Sequence, residues 1–447
     1  MVSKEEVLNF LHFDEKILHD PFLLPGMDRV IFVLKEKISA GKKIRIIGDY
    51  DVDGISATFI LYKGLKYFGA DCDYVIPHRI EDGYGINIKL IENAVNDGVD
   101  TIITCDNGIA AATQTDFANE KGITMLITDH HEVPFEEESG IKRYIIPKAQ
   151  AVTDPKLPDS KYPFEGICGA MVAYKLILAY ASKEDGLDAV SFSKLKEELL
   201  EFAGIATVCD VMELRDENRY VVKKALNAVA NSRNLGLKSL LKVTGTEGKV
   251  LSAFHFGFVI GPCLNASGRL DTSLKALELF LCEDEEEALA KAEELKNLNE
   301  ERKYMTLTEA EKAFQIVDSM EEIPDVVVIY LPECHESLAG IIAGRVREKY
   351  VRPTFVLTKT EKGLKGSGRS IEAYDMYEGL NKVKDLLSKF GGHKMAAGIS
   401  LEEANLDKFI KRINEESNLS KDDFVDSLRI DMELPFRYAD LNLAKEL

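Results

Sequence analysis

The chain has 447 residues, enough for two or three domains with separate cores, and its 45% hydrophobic and 30% charged content is that of a folded protein. A net charge of −20 argues against a protein that coats nucleic acid nonspecifically, but leaves room for an enzyme with a local basic channel. Apolar runs reach only about ten residues, too short to span a bilayer. "MVSKEEVLNF" lacks a signal-like apolar core, and seven cysteines without a CxxC pair exclude a zinc ribbon or a disulfide framework. A reducing, cytoplasmic compartment is the expectation.

In chain order, residues 1–40 read as an N-terminal helical segment built around "DPFLLPGM". Residues 41–282 alternate short apolar runs with helical stretches of ten or more residues: "KIRIIG" then "ISATFILYKGLKYF", "DCDYVIP" then "INIKLIENAVNDG", "VDTIITCDNG" then "ITMLITDHH". That alternation predicts βαβ units and a parallel sheet. "GAMVAYKLILAYA" and "LLEFAGIATVCDVMEL" read as buried helices. Residues 283–318, polar and free of Gly and Pro, predict one long connecting helix. Its acidic opening, "CEDEEEALAKAEEL", reads as a solvated face.

Strand and helix signals restart in 319–417 with "PDVVVIYL", "AGIIAGRVREKY" and "RPTFVLTK". Here 325–400 carries 12 basic against 9 acidic side chains, so the acidic excess lies elsewhere. Residues 418–447 contain the strand-like "RIDMEL" and read as the start of a further domain.

Chemistry concentrates where strands are predicted to end. Asp49, Asp51 and Asp53 follow "IRII", Asp106 follows "TIITC", Asp129, His130 and His131 follow "MLIT", and Asp210 follows "GIATVC". Acids two apart in an extended segment share a side, and open parallel sheets bind ligands at the carboxyl ends of their strands. Any one of these acids could be a loop or helix cap. Four such loops converging on one crevice make a metal site. Oxygen donors with a minority of imidazole suit Mn²⁺ or Mg²⁺ better than zinc. Two such ions can activate a water and steady the charge of an in-line displacement at phosphorus.

"DYDVDG", "CDNG", "TDHH" and "CDVMEL", in this order, resemble the DHH phosphoesterase superfamily, and "GSGRS" with "GGHKMAAG" resembles its DHH-associated domain. "GPCLNASGRL" and "HRIEDGYGIN" are similar to the RecJ family of single-strand-specific 5′→3′ DNA exonucleases, over roughly residues 20–445. The resemblance implies an α/β fold: a parallel-sheet DHH phosphoesterase domain joined by a long helix to a smaller α/β DHH-associated domain. It implies two divalent ions, Mn²⁺ or Mg²⁺, held by Asp51, Asp53, Asp106, His130 and Asp210. Asp106 would bridge them, and Asp49 would be a further ligand or would orient one. His131 would meet the scissile phosphate or the leaving group, and Asp129 would orient a histidine. Ser367 and Arg369 would hold the 5′-terminal phosphate, Arg269 and Arg79 would touch other phosphates, and Tyr84 would stack on a base.

Read locally, "LKGSGRS" is a Gly-rich loop able to form an anion nest. His393 precedes an apolar helical stretch and could sit over a cleft between domains; Asn265 supports a phosphate pocket or caps a turn. His12, His19, His78, His255 and His335 show no clear acidic partner and read as structural or surface residues. Two departures stand out. Cys263 occupies a position where relatives often carry a basic residue. RecJ proteins also continue into an OB-fold domain, so 418–447 is expected to open one.

The function expected is release of 5′-mononucleotides from 5′-phosphorylated single-stranded DNA in repair and recombination. The enzyme would be a monomer without membrane contact, and a single-strand-binding protein or helicase is the expected partner class. One alternative is a DHH phosphodiesterase for short oligoribonucleotides or cyclic dinucleotides. Such relatives, like family II pyrophosphatases, would be expected to open the first motif with histidine where this chain has Asp49. Another is an inactive DHH scaffold of a replication complex, which predicts lost metal ligands.

Overall fold

A computed structural model describes Phe10 and residues 15–138, 141–425, 428 and 430–446. The chain divides into two compact units, Met1–Arg302 and Lys303–Leu447.

The first unit is built on five parallel strands: β1 (Ile44–Ile47), β2 (Cys72–Val75), β3 (Thr101–Cys105), β4 (Thr124–Thr128) and β7 (Ala151–Thr153), in the order β2-β1-β3-β4-β7. β1 and β3 are buried along their whole length, because both faces of such a sheet are covered by its crossover helices. The order reverses between β1 and β3, so the topological switch point of the sheet lies there. The Asn107 side chain fastens it, donating to the carbonyls of Ile47 and Cys105, at 3.1 and 2.9 Å.

α1 (Met27–Ser39) buries Met27, Val30, Ile31, Val33 and Leu34 in the main core of this unit. The N-terminal stretch is therefore two short 3₁₀ turns and one real helix among the described residues, and the expectation for 1–9 and 11–14 lies outside them. α2 (Val52–Tyr67) follows β1 and is buried almost all round. Its Phe59 packs with Phe202 and Phe280 at ring separations of 4.1 and 5.9 Å. α3 (Ile88–Asn96) and α4 (Ala112–Glu120) complete the crossovers. α5 (Gly169–Ala181) and α6 (Ala189–Cys209) are the two apolar helices expected from the sequence. α7 (Asp216–Val229), α8 (Leu235–Val243), α9 (Gly261–Leu270) and α10 (Leu274–Leu281) close the unit. α11 (Glu285–Asp318) is a single helix of 34 residues.

The second unit holds a five-stranded sheet of order β11-β12-β10-β9-β8. β8 (Val327–Tyr330) and β9 (Thr354–Thr360) are parallel, linked by α12 (Ala339–Tyr350). β10 (Gly363–Arg369), β11 (Lys389–His393) and β12 (Ala396–Leu401) pair antiparallel. α13 (Met376–Lys382) and α14 (Leu406–Glu415) flank it, and Phe355 and Phe409 meet edge-on in its core.

Four local expectations are corrected. "LKGSGRS" is a strand, β10, whose backbone pairs with β9 on one side and β12 on the other; those amides are therefore not an anion nest. The stretch after His393 is β12, the second arm of a hairpin, because two partners already waiting in register override helix propensity. Residues 430–435 form no strand: Ile430 and Met432 stay exposed rather than packing an apolar face against a sheet. His19 does have acidic partners, its Nε2 lying 2.8 Å from Asp216 and its N–H donating to Glu217. An antiparallel pair, β5 (Phe135–Glu138) with β6 (Ile141–Tyr144), was not expected.

Candidate active site

The acids meet at the switch point, though not all on extended backbone. Only Asp49 lies in a simple strand-to-helix loop. Asp51 is the N-cap of α2 and accepts from the N–H groups of Asp53 (2.9 Å) and Gly54 (3.1 Å). Asp53 sits in the first helical turn. The cap reading and the site reading of Asp51 therefore both hold, since one carboxylate fixes the helix start and stands among the other acids.

Asp53 is held from across the fold, its two oxygens accepting the N–H groups of Gly169 (2.6 Å) and Ala170 (2.8 Å) at the start of α5. The positive end of that helix favours a carboxylate there. A side chain at Gly169 would strike Asp106, 2.6 Å from its Cβ. Asp106 adopts φ 60°, a left-handed conformation that Asp tolerates better than most residues, at the end of β3. Asp210 caps the C-terminus of α6, so this acid comes from a helix rather than a strand.

Three groups bring ligand atoms within 4.8 Å of one another: Asp53 with His130 and Asp210, Asp49 with Asp51 and Asp106, and Asp106 with His130 and His131. His130 Nε2 lies 3.0 Å from Asp106, 3.5 Å from Asp53 and 3.8 Å from Asp210. Two unit charges 4 Å apart interact by about 4 kcal/mol at an effective dielectric near 20, so this many carboxylates cannot all ionise unaided. Burial, then the neighbouring charges, raises Asp51 and pushes Asp49 and Asp106 well above the usual carboxylate range. The same causes push Asp210 up to about 8.

The residues present fit a pair of hard divalent cations. Both Asp49 oxygens are buried without a hydrogen bond of normal geometry, although the amides of Tyr50 and Gly85 stand close enough to favour their charge. His130 Nδ1 is likewise buried without a partner, and burial pulls this imidazole down towards the neutral form that ligates metals.

Asp129 and His131 form a separate pair. His131 Nδ1 lies 2.7 Å from Asp129 Oδ1, which also accepts the His130 N–H; Oδ2 accepts the Ile109 N–H. Burial alone would raise Asp129, but the His131 hydrogen bond and charge hold it below the usual range. Burial likewise opposes charge on His131, yet Asp129 carries its pKa to about 9. The Tyr84 hydroxyl lies 3.1 Å from His131 Nε2 and donates to the Asp106 carbonyl at 3.2 Å, while the residue as a whole remains 53% exposed.

Among the other sequence-selected residues, the Arg79 guanidinium sits 4.5 Å over the ring of Tyr50, which lies between Asp49 and Asp51 in the chain. Asn265 and Arg269 lie on α9, so Asn265 is mid-helix and caps no turn. Cys263 is buried and accepts from Asn299. In the second unit, Arg369 Nη1 donates to Ser367 Oγ at 3.1 Å and to the Gly368 carbonyl. Both side chains border the N-terminal turn of α12, where a Cβ on Gly340 would come within 2.9 Å of each. His393 ends β11, exposed, its Nδ1 accepting the Met395 N–H.

Sequence reasoning passed over Asn107, the α5 amides, Gly340 and Asp154. Asp154 follows β7 as Asp129 follows β4, so the same strand-end rule would have found it. It is fully buried, Oδ2 has no partner, and burial with the Asp129 charge pushes it up to about 7.

Comparison with known proteins matches residues 43–207 to the DHH family, N-terminal domain, and 324–418 to the DHHA1 domain. The single-stranded-DNA-specific exonuclease RecJ of Salmonella typhimurium is 34% identical over 407 residues, covering 88% of this chain and 69% of that protein. The chain belongs to the RecJ family. The RecJ of Bacillus subtilis is 34% identical over 434 residues, 96% of this chain, and this chain spans about half (53%) of that relative's length. A crystal structure of exonuclease RecJ bound to manganese matches at TM-score 0.76 and 32% identity, over 91% of this chain and 97% of that one. RecJ from Thermus thermophilus in complex with Mn²⁺ matches at TM-score 0.74 and 30% identity, over 88% and 54%. The family's fold, a parallel-sheet DHH domain and a smaller DHHA1 domain, is the fold seen here. No helix among the described residues is long and apolar enough to cross a membrane.

Proposed function

We propose that this RecJ-family chain is a 5′→3′ exonuclease that releases 5′-mononucleotides from single-stranded DNA using two divalent ions. The observation that carries the reading is the pair of ligand groups at the switch point, Asp53–His130–Asp210 and Asp49–Asp51–Asp106. In it, Asp51, Asp53, Asp106, His130 and Asp210 would hold the ions, with Asp49 completing the set. When bound, the ions supply Lewis acidity towards the scissile phosphate and lower the pKa of the attacking water.

The chain's own groups do the rest. Asp129 keeps His131 protonated at neutral pH, so Nε2 can give its proton to the 3′-oxygen of the departing nucleotide as the P–O bond breaks. Arg79 and Arg269 take backbone phosphates, supported by Asn265, and Tyr84 offers an exposed ring face for a base. Ser367 and Arg369, beside the start of α12, suit a terminal phosphate, because a helix N-terminus, a hydroxyl and a guanidinium all favour an anion.

The test is a substrate panel in Mn²⁺: 5′-phosphorylated single-stranded DNA, duplex DNA, a short RNA and a cyclic dinucleotide. Mononucleotide release from the single strand is expected. Turnover confined to the short RNA or the cyclic dinucleotide would overturn the reading in favour of a small-substrate phosphodiesterase.

A further inference from the structure

Between α8 and α9 the chain makes one short helical turn, Ala253–His255, and then a π-helical segment, Phe256–Ile260, that runs straight into α9. π-Helical segments are rare and are frequently found at functional sites. This one, together with the turn before it, carries two large aromatic side chains outward, Phe258 on the π segment and Phe254 on the turn. Phe254 is 60% and Phe258 70% exposed, and their rings stack at 5.2 Å with an interplanar angle of 21°. Val211 and Val250, 87% and 94% exposed, add to the apolar surface of this unit. An enzyme with a net charge of −20 has no solubility reason to present a stacked aromatic pair to water.

The position of the segment says what covers it. At one end it is tied to the neighbour of Asp210, Cys209 Sγ donating to the Phe256 carbonyl at 3.5 Å, and Val211 follows Asp210 directly. At the other end α9 carries Asn265 and Arg269. Just beyond it, Ser273 Oγ donates at 2.7 Å to the carbonyl of Tyr50, between Asp49 and Asp51. Phe258 thus lies between these two ties and its stacking partner Phe254 just before the first, on a connector that joins the end of the helix carrying Asp210 to the Asp49–Asp53 loop. A strand laid across those acids brings its own flat apolar surfaces, the unpaired bases, to their rim.

We infer that Phe254 and Phe258 form a base-stacking platform for the single-stranded substrate, separate from Tyr84 and indifferent to sequence. Aromatic rings serve every base alike because each has a π-face. Duplex DNA, whose bases are already stacked on each other, has no free face to offer. The inference rests on the proposed action on single strands.

The experiment measures binding of a nuclease-resistant phosphorothioate strand and of its abasic counterpart in Mn²⁺, for the intact chain and for a Phe254→Leu/Phe258→Leu variant. Leucine keeps apolar surface but removes the ring faces, and both sites are exposed, so the thermal midpoint should hold. The variant should lose about tenfold in preference for the base-bearing strand, the effect of one lost stack, with abasic binding unmoved. An undiminished preference would overturn the platform while leaving the exonuclease reading intact. Failure of the intact chain to bind either strand would instead sink that reading and the platform together. Sedimentation gives a third result: self-association abolished by the variant, with base preference kept, would make the pair a contact between copies and exclude the platform.

Discussion

The two units meet the problem of charge in opposite ways. In the first, helix caps and strand ends crowd five aspartates together with His130 and His131, and His130 is pulled towards the neutral form. In the second, Ser367 and Arg369 stand on a fully paired strand beside a helix start, a neutral-to-positive cradle in which the guanidinium donates to a hydroxyl and a carbonyl. The first is incomplete without a cation, and the second suits an anion. A metal-dependent enzyme acting on a phosphate chain needs both.

The largest expected effect breaks the first of these. Asp106→Ala removes the residue shared by two ligand groups and should cost several kcal/mol of transition-state stabilisation, about a thousandfold or more in kcat. Nucleotide release in Mn²⁺ measures it, and substantial residual activity would overturn the proposed place of Asp106 among the metal ligands. Metal removal comes next. With its pKa at about 8 in the fold and near 4 in the unfolded chain, Asp210 keeps a proton that the unfolded state has already released. The contribution of Asp210 to metal-free stability should therefore fall as pH rises from about 4 to 8 and level off above. Melts in EDTA should show that slope, and saturating Mn²⁺ should flatten it; equal slopes in both would mean the acids do not hold the ion.

The second unit gives a smaller, selective effect. Arg369→Ala should lower preference for a 5′-phosphorylated over a 5′-hydroxyl strand by about 10- to 100-fold, the range for a hydrogen bond to a charged group. Turnover at saturation should change far less. Gly340→Ala should act in the same direction, because its Cβ would come within 2.9 Å of both Arg369 and Ser367. If the two variants lose turnover and not phosphate preference, the cradle serves the fold rather than the strand end.

How much of this is legible in the sequence differs between the units for a physical reason. In the parallel sheet, a short apolar run followed by an acid fixes both strand and site. Asp106, Asp129 and the Asp49–Asp53 group are therefore readable from order alone, and Asp154 is readable by the same rule. What depends on distant backbone is not: the α5 amides that hold Asp53 lie 116 and 117 residues away, and Asn107 acts by joining two strand ends. In the second unit, glycines suggest a loop where the chain forms β10, because a strand with partners on both sides tolerates residues that would not form one alone. The helix expected after His393 gives way to β12 for the same reason.

Tyr84 gives the smallest predicted effect and the finest division of roles. Its exposed side chain suits a base, but its hydroxyl reaches His131 and the Asp106 carbonyl, so it touches both the proposed proton donor and the loop of a proposed metal ligand. Tyr84→Phe keeps the ring and deletes only those hydrogen bonds. Strand affinity should stay level, while kcat falls by about 3- to 10-fold, within the range that loss of a hydrogen bond costs. The pH profile separates the cases further. His131, held near 9 by Asp129, is protonated below that pH, so activity that needs its proton should decline on the alkaline side. Without the hydroxyl at Nε2 that alkaline limb should move, whereas a purely base-stacking Tyr84 would leave it in place and raise KM only on substitution to Ala.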